Sequence, residues 1–319
     1  MRILASQLTL HKLEVFCHVA ELGSISKAAE RCGIAQPVVT AHVKALSEKL
    51  GVNLTQRNGR RIMLTDDGDR VYRWANEIMI RTRELERELS DTHLGVMGKA
   101  AVAASMTLGS YVLPGMISSF RRLYPKGDIS VRVTSPILAT EAVRIGDCDF
   151  AFTILDPRHD IGGLEVEQIV NEELILVASP ASGFNREIAK PAALRDIPFV
   201  TAQRDTPRRE IEEHALMQFG IARDNIVMEF GHAEAIKQAV RAGAGVAFLF
   251  RSSVHDELSS GMLCQIDTPG MALNVPVYLV RRQGKKLVKF QTELIDYLVS
   301  ALRAYSAAPD RKALFIDGA

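Results

Sequence analysis

Gln36, Thr40, His42 and Lys44 crowd a segment whose apolar residues, Val39, Val43 and Leu46, recur at helical spacing. That stripe reads as the buried face of a helix, which leaves Gln36, Pro37, Thr40, Ala41, His42 and Lys44 on its outer surface. Small groups, hydrogen-bonding groups and a cation are what a helix lying in a DNA major groove presents, with Gln36 and Thr40 as the expected base readers. Arg57, Arg60 and Arg61 flank Asn58-Gly59, a hairpin-turn signal between two short strands. Guanidinium groups gathered on such a wing bind phosphate or enter the minor groove, which positions a protein more than it reads sequence. For Arg57 a salt bridge inside the wing is the alternative. Ser24, Ser26 and Lys27 are expected to meet phosphates too.

A second chemistry lies further along the chain. Ser105-Met106-Thr107 ends a strand-like run and leads into a helix, and Gly231-His232 does the same before Ala233. Helix starts offer free backbone N–H groups and the positive end of a dipole, which suits an anion. Ser105 and Thr107 add hydroxyls, although each could serve as a plain helix cap. Thr201 and Gln203 end a strand at the facing edge, where ligands of open α/β sheets gather. Phe152 and Phe248 could supply an apolar wall; core packing is the competing use of both. The expected ligand is a small anionic or strongly polar molecule.

The elements that must hold these groups follow from periodicity and punctuation. Leu8 to Ala20 reads as a helix with Leu10, Leu13, Phe16, Cys17 and Ala20 on one face. Ser24 caps a second helix, whose Ala28 and Ala29 are small enough for another helix to cross closely. Gly33 suits a sharp turn, Pro37 the first turn of the next helix, and Gly51 its stop. From Asp67 to Leu94, Val71, Ala75, Ile78, Thr82, Leu85 and Leu89 follow a heptad seam. Such a seam implies a partner helix, so Ile78→Asp is expected to separate two chains; packing of the helix on its own domain is the other reading. From Lys99 onward strand-like and helical runs alternate, which predicts parallel sheets with crossovers.

Leu13, Phe16, Val19-Ala20-Glu21, Gly23-Ser24, Ala28-Ala29, Gln36-Pro37, Val43, Leu46, Leu50-Gly51, Leu54, Arg57, Arg60-Arg61, Leu64-Thr65 and Gly68 stand at fixed spacings. With them, Leu8 to Gly68 resembles the winged helix-turn-helix of LysR-type transcriptional regulators. Cys32, Ala35, Thr40 and Thr55 depart from the usual leucine, serine, serine and phenylalanine. Leu113-Pro114, Phe120, Tyr124-Pro125, Gly146, Asp149, Glu234-Ala235-Ile236-Lys237 and Gly243-x-Gly245-Val246-Ala247 carry a weaker likeness to the effector domain of that family.

The resemblance implies an α/β multidomain chain. Residues 1–66 would form the winged helix-turn-helix, 67–95 a linker and dimerisation helix, and 98–319 an effector domain like a periplasmic binding protein. That domain would comprise subdomain I (98–168 and 270–319) and subdomain II (169–269), with the ligand cleft between them. It further implies a ligand-responsive regulator bound to double-stranded DNA, a homodimer that pairs into a homotetramer, and RNA polymerase as a further partner. The tail after Tyr305 has no counterpart in the family pattern.

Composition agrees and excludes. The 319 residues are 47% apolar with a mean hydropathy of +0.04, enough for two or three domains with cores. Met1 to Thr65 holds nine Lys/Arg against four Asp/Glu, a balance of +5, which leaves −4 for the rest of a chain whose net charge is +1. A basic module on a mildly acidic body fits a polyanionic partner for the first part alone. No bilayer-length apolar run and no signal peptide are found, so a cytoplasmic location without membrane contact is expected. Cys17, Cys32, Cys148 and Cys264 form no C-x-x-C pair, and core packing of Cys148 is favoured over redox sensing. The histidines lack metal-ligand spacing. No cofactor is expected besides the small-molecule effector. Gly243-Ala244-Gly245 is an incomplete dinucleotide fingerprint, and no nucleophile elbow, P-loop or His-Glu-x-x-His occurs, which argues against an enzyme.

Overall fold

The computed structural model describes residues 8–59, 61–94, 98–155, 160–184, 187–188 and 190–307, with backbone alone at 84 and 87–94. Arg60, Gly95, the tail beyond residue 307 and the side chain of Leu89 therefore lie outside the described residues. The chain divides into two compact units, Met1–Leu94 and Gly95–Ala319.

The first unit begins with α1 (Leu10–Leu22), α2 (Ile25–Cys32) and α3 (Gln36–Leu50). Thr9 and Ser24 cap the first two helices by accepting the N–H groups of Lys12 and Lys27. Gly33, at φ 67°, turns the chain between α2 and α3 in the left-handed region that glycine tolerates. Ala35 stands at the start of α3 and offers no side-chain acceptor there. The wing is β1 (Thr55–Asn58) paired antiparallel with β2 (Arg61–Leu64). Phe16, Leu46 and Leu54 are fully buried at the centre of this unit.

The long helix α4 (Asp66–Leu94) follows, its first turn holding Asp66, Asp67 and Asp69 against the positive end of the dipole. Its seam needs correction. Ala75 and Met79 are buried in the core of the first unit, with Val71, Tyr72 and Ile78 packed against it. The early part of the seam thus covers α1, and among the described residues the exposed large apolar groups of α4 are Trp74 and Leu85, 45% and 54% exposed.

The second unit is built on a mixed sheet. Parallel β3 (Lys99–Ser105), β4 (Asp128–Thr134) and β5 (Phe150–Ile154) carry α5 (Leu113–Leu123), preceded by a π-helical turn at Leu108–Val112, and α6 (Pro136–Arg144). Then β6 (Leu164–Ala178) leaves this first lobe. The second lobe holds β7 (Phe199–Ala202), α7 (Pro207–Met217), β8 (Ile226–Phe230), α8 (Ala233–Arg241), β9 (Ala247–Phe250), α9 (His255–Ser259) and β10 (Cys264–Ile266). It also has 3-10 turns at Pro191–Leu194 and Arg251–Val254. β11 (Asn274–Arg282) returns, and α10 (Lys289–Ala307) closes the first lobe.

The larger sheet runs β10-β6-β11-β5-β3-β4, with β9 also on β6, while β7 and β8 pair apart from it. The expected parallel pairing holds for β3 with β4 and β5 and for β7 with β8, but the larger sheet is mixed: β11 lies antiparallel to both β5 and β6, and β9 and β10 lie antiparallel to β6. The reason is connectivity. One strand leaves the first lobe and another returns alongside it, so they must run in opposite directions.

Cys17 is buried, and that burial, with Glu21 nearby, pushes its thiol up to about 12; Cys148 is buried in a cluster with Ala142, Val143 and Val280. Among the described residues no helix is long and apolar enough to cross a membrane.

Ile78→Asp sets a charge against the Ala75–Met79 face and should lower the stability of the first unit by about 2 kcal/mol or more. Leu85→Asp, at an exposed site, should leave it within about 0.5 kcal/mol. Chemical denaturation of the two variants separates a helix packed on its own unit from a free seam.

Candidate nucleic-acid interface and effector cavity

On α3, Gln36, Pro37, Thr40 and Lys44 are all exposed, while Val39, Val43 and Leu46 face the core. The Thr40 hydroxyl donates to the Gln36 carbonyl at 3.1 Å, a bond it can exchange for a base edge because both groups are exposed. Lys44 lies 3.8 Å from Glu48 in an exposed i,i+4 pair, which is weak. Ser24 has its hydroxyl engaged as the α2 cap, and Ser26 and Lys27 are exposed beside it. Arg57 and Arg61 are exposed on the wing, with Arg57 opposite Ile62 in the register. Between α3 and the wing is a groove of about 340 Å³ lined by Thr40, Lys44, Ser47, Gln56 and Arg57.

His42 does not join this surface. It is half-buried on the other flank of α3, its ring 5.4 Å from that of His11 at 84°. The helical step explains this: two positions beyond Thr40 is roughly 200° round the axis. Burial, then His11 and Lys12, hold the His42 imidazole below its ordinary 6.5.

In the second unit a cavity of about 240 Å³ opens where four helical segments begin. Ser105 to Thr107 enter the π-helical turn, Ser135 caps α6, Thr206 caps α7 and His232 caps α8. His232 caps through Nδ1, which accepts the Glu234 N–H at 3.2 Å. Among the described residues no Asp or Glu lines the cavity. Ser105 is buried and its Oγ has no hydrogen-bond partner; Thr107 is buried and makes no side-chain cap.

Arg208, which the sequence pattern did not single out, also lines this cavity, and its buried Nε has no hydrogen-bond partner. Burial lowers its affinity for the proton, opposed by Glu212 and Tyr111. Glu212 is itself held by Arg223, Nη1 to Oε1 at 2.5 Å with both side chains 4% exposed. Arg208 thus feels a carboxylate whose close ion pair is with another arginine.

Four of the expected effector contacts are elsewhere. Phe152 and Phe248 are core residues, Phe152 edge-on to Phe150 and Phe248 stacked on Phe199, each pair 5.9 Å apart. The apolar wall is supplied two residues on along the same strands, by Ile154 and Phe250. That step keeps the strand face and moves toward the strand end. Thr201 is buried, and its Oγ1 accepts from Arg209 and Arg223 at 3.3 and 3.1 Å. Gln203 is exposed and does not line the cavity.

Beside the cavity the Tyr111 hydroxyl donates to Glu234, joining the first lobe to the second. Burial, then that bond, raises the tyrosine's proton affinity above its ordinary 10.0.

Residues 94–303 match the LysR substrate binding domain, and residues 10–69 the bacterial regulatory helix-turn-helix of the lysR family. The chain belongs to the LysR family. It is a ligand-responsive, DNA-binding transcriptional regulator and not an enzyme. The chain is 29% identical over 290 residues to the uncharacterized HTH-type transcriptional regulator YeiE of Escherichia coli K12, covering 91% of this chain and 97% of that one. It shares its fold with full-length CbnR complexed with its target DNA (TM-score 0.52, 23% identity, 91% of this chain and 98% of that one). The regulatory domain of CcmR from Synechocystis PCC6803, in complex with 2-PG, matches with TM-score 0.54 and 22% identity over 64% of this chain and 97% of that one.

His42 of this LysR chain carries a pH dependence. A folded-state affinity for protons below the unfolded one means the unfolded chain binds more protons as pH falls through 6.5. The stabilising contribution is thus complete above that value and lost on acidification. Thermal unfolding of the first unit at about pH 8 and about pH 5 should show a smaller acid-induced drop in His42→Gln than in the parent.

Proposed function

We propose that the second-unit cavity binds a compact organic anion and that the α3–wing surface reads and grips the operator. The unpartnered Nε of Arg208 beside four helix starts, in a lining without carboxylates among the described residues, carries the first part. Ser105 and Thr107 would donate to the anion from one lobe, and Arg208 and His232 would face it from the other. Ile154 and Phe250 would hold its apolar portion. By spanning the lobes, assigned here as 98–168 with 270–319 and 169–269, the ligand favours one angle between them only through its differential affinity for the two states.

On DNA, Gln36 and Thr40 would read base edges. Pro37 and Lys44 would flank them, and Ser26, Lys27, Arg57 and Arg61, with Arg60 from the sequence alone, would meet phosphates. Pairing of two chains through α4 would cover Trp74 and Leu85, and on this reading Leu85→Asp also lowers the sedimenting mass. A cytoplasmic location and tetramer assembly belong to the same proposal.

Full-length protein screened by thermal shift against mono- and dicarboxylates and inorganic phosphate should give at least one saturable stabilisation. Arg208→Met should weaken that anion about 10- to 100-fold, the worth of a charged hydrogen bond. Thr107→Val and His232→Ala should each weaken it several-fold. If the anion binds all three variants as tightly as the parent, the cavity assignment fails and the DNA assignment stands.

Gln36→Ala should cost about 1–3 kcal/mol of discrimination between operator and altered operator. Arg57→Ala should weaken all sequences alike and flatten the salt dependence by about one unit of slope. Fluorescence anisotropy at several salt concentrations reads both, and a uniform loss in Gln36→Ala would make it a positioning residue.

A further inference from the structure

A second cavity of about 230 Å³ shares no lining residue with the anion cavity and offers the opposite chemistry. Tyr111 and Tyr305 reach it from the first lobe, and Lys237, Ser252, His255 and Glu257 from the second.

Lys237 is 4% exposed. Its ammonium makes three polar contacts: 2.6 Å to Glu234 Oε1, 2.9 Å to Glu257 Oε1 and 2.9 Å to the Ser253 carbonyl. An ammonium has three N–H groups, so this one has no donor left for a ligand. It also sits 5.0 Å from the centre of the Tyr111 ring.

Two polar atoms stay unmet. Ser252 is 5% exposed and its Oγ has no hydrogen-bond partner; the buried Nε2 of His255 has none either. A hydroxyl accepts as well as donates, and a neutral imidazole accepts at one nitrogen. Asp256 and Glu257 add carboxylate oxygens to the same lining, and Glu234 adjoins it through Lys237. Two carboxylates thus pair with the one ammonium, a third lines the same cavity, and acceptors outnumber free donors.

We propose that this cavity is a second ligand site and takes a small alkylammonium ion, such as an aliphatic diamine. A primary ammonium would donate to the Ser252 hydroxyl, the His255 imidazole and a carboxylate. Its carbon chain would lie along the tyrosine rings, a favourable place for a cation's flank. The volume equals roughly eight waters at about 30 Å³ each, which accommodates a four-carbon diamine. Among the described residues no group of three or more His, Cys, Asp or Glu converges to hold a metal, which leaves an organic cation. The occupant competes with Lys237 for Glu257 and so bears on Glu234 and its bond from Tyr111.

Isothermal titration of the full-length protein with butane-1,4-diamine and with butane-1,4-diol, at matched ionic strength, tests this. The diamine should bind saturably at one site per chain and the diol should not. Ser252→Ala and Asp256→Asn should each weaken the diamine about 3- to 10-fold. Asp128→Asn, an exposed carboxylate elsewhere, should leave it unchanged. Equal heats for diamine and diol, no saturation, or undiminished binding in both cavity variants would overturn the proposal and leave a void filled by water. An equal loss in Asp128→Asn would mark diffuse attraction to an acidic surface and overturn it too.

Discussion

The second unit depends on the pairing of β6 with β11. These strands stay hydrogen-bonded side by side through nine register pairs, from Asn274 opposite Glu173 to Arg282 opposite Leu164. Beyond that, from Leu174, β6 takes β9 and β10 as partners instead. One strand thus serves the core of both lobes. Breaking its ladder would leave buried backbone groups unpaired, so the lobes can turn about these strands and cannot separate from them. The register shift between Val277 and Tyr278 falls inside this spine, and a bulge there adds local twist at the crossing. The Tyr111–Glu234 bond lies off the spine, where a rotation would lengthen or shorten it.

The helix-turn-helix was legible because its constraints are local. Gly33 and Gly51 adopt the left-handed conformation, Ser24 caps as its position requires, and the apolar stripe of α3 is buried as its period demands. The seam of α4 was only half legible. Spacing says which residues share a face, but not what covers it, and α1 covers Ala75 and Met79 before any second chain could. His42 was misplaced for a simpler reason: two positions beyond Thr40 is roughly 200° round the helix axis, on the flank where His11 stands.

The cavity was legible in its backbone and not in its side chains. Ser105-Met106-Thr107 and Gly231-His232 read as helix starts, whereas Ser135-Pro136 and Thr206-Pro207 were not singled out by the sequence pattern and emerge from the fold. Strand parity cannot choose between Phe152 and Ile154, which share a face; which of them reaches the cavity depends on where the sheet stops. Arg208 was hidden by arithmetic. It stands four residues before Glu212, the ordinary spacing of a helical ion pair, and only the folded chain reveals that Arg223 takes that carboxylate. Thr201 shows the converse: a hydroxyl at the strand end, already committed to two arginines.

Ala35 stands where a serine would bring its own acceptor to the head of the recognition helix. Without that oxygen, the leading N–H groups of α3 have no side-chain cap, and the turn closes through backbone bonds such as the Val38 N–H to Ala35 carbonyl bond of 2.9 Å. A phosphate oxygen is the other kind of acceptor that can sit at such a terminus. With a phosphate seated there, the order of this turn and the presence of nucleic acid would become linked quantities. Amide exchange at the head of α3 would then report operator occupancy from within the protein.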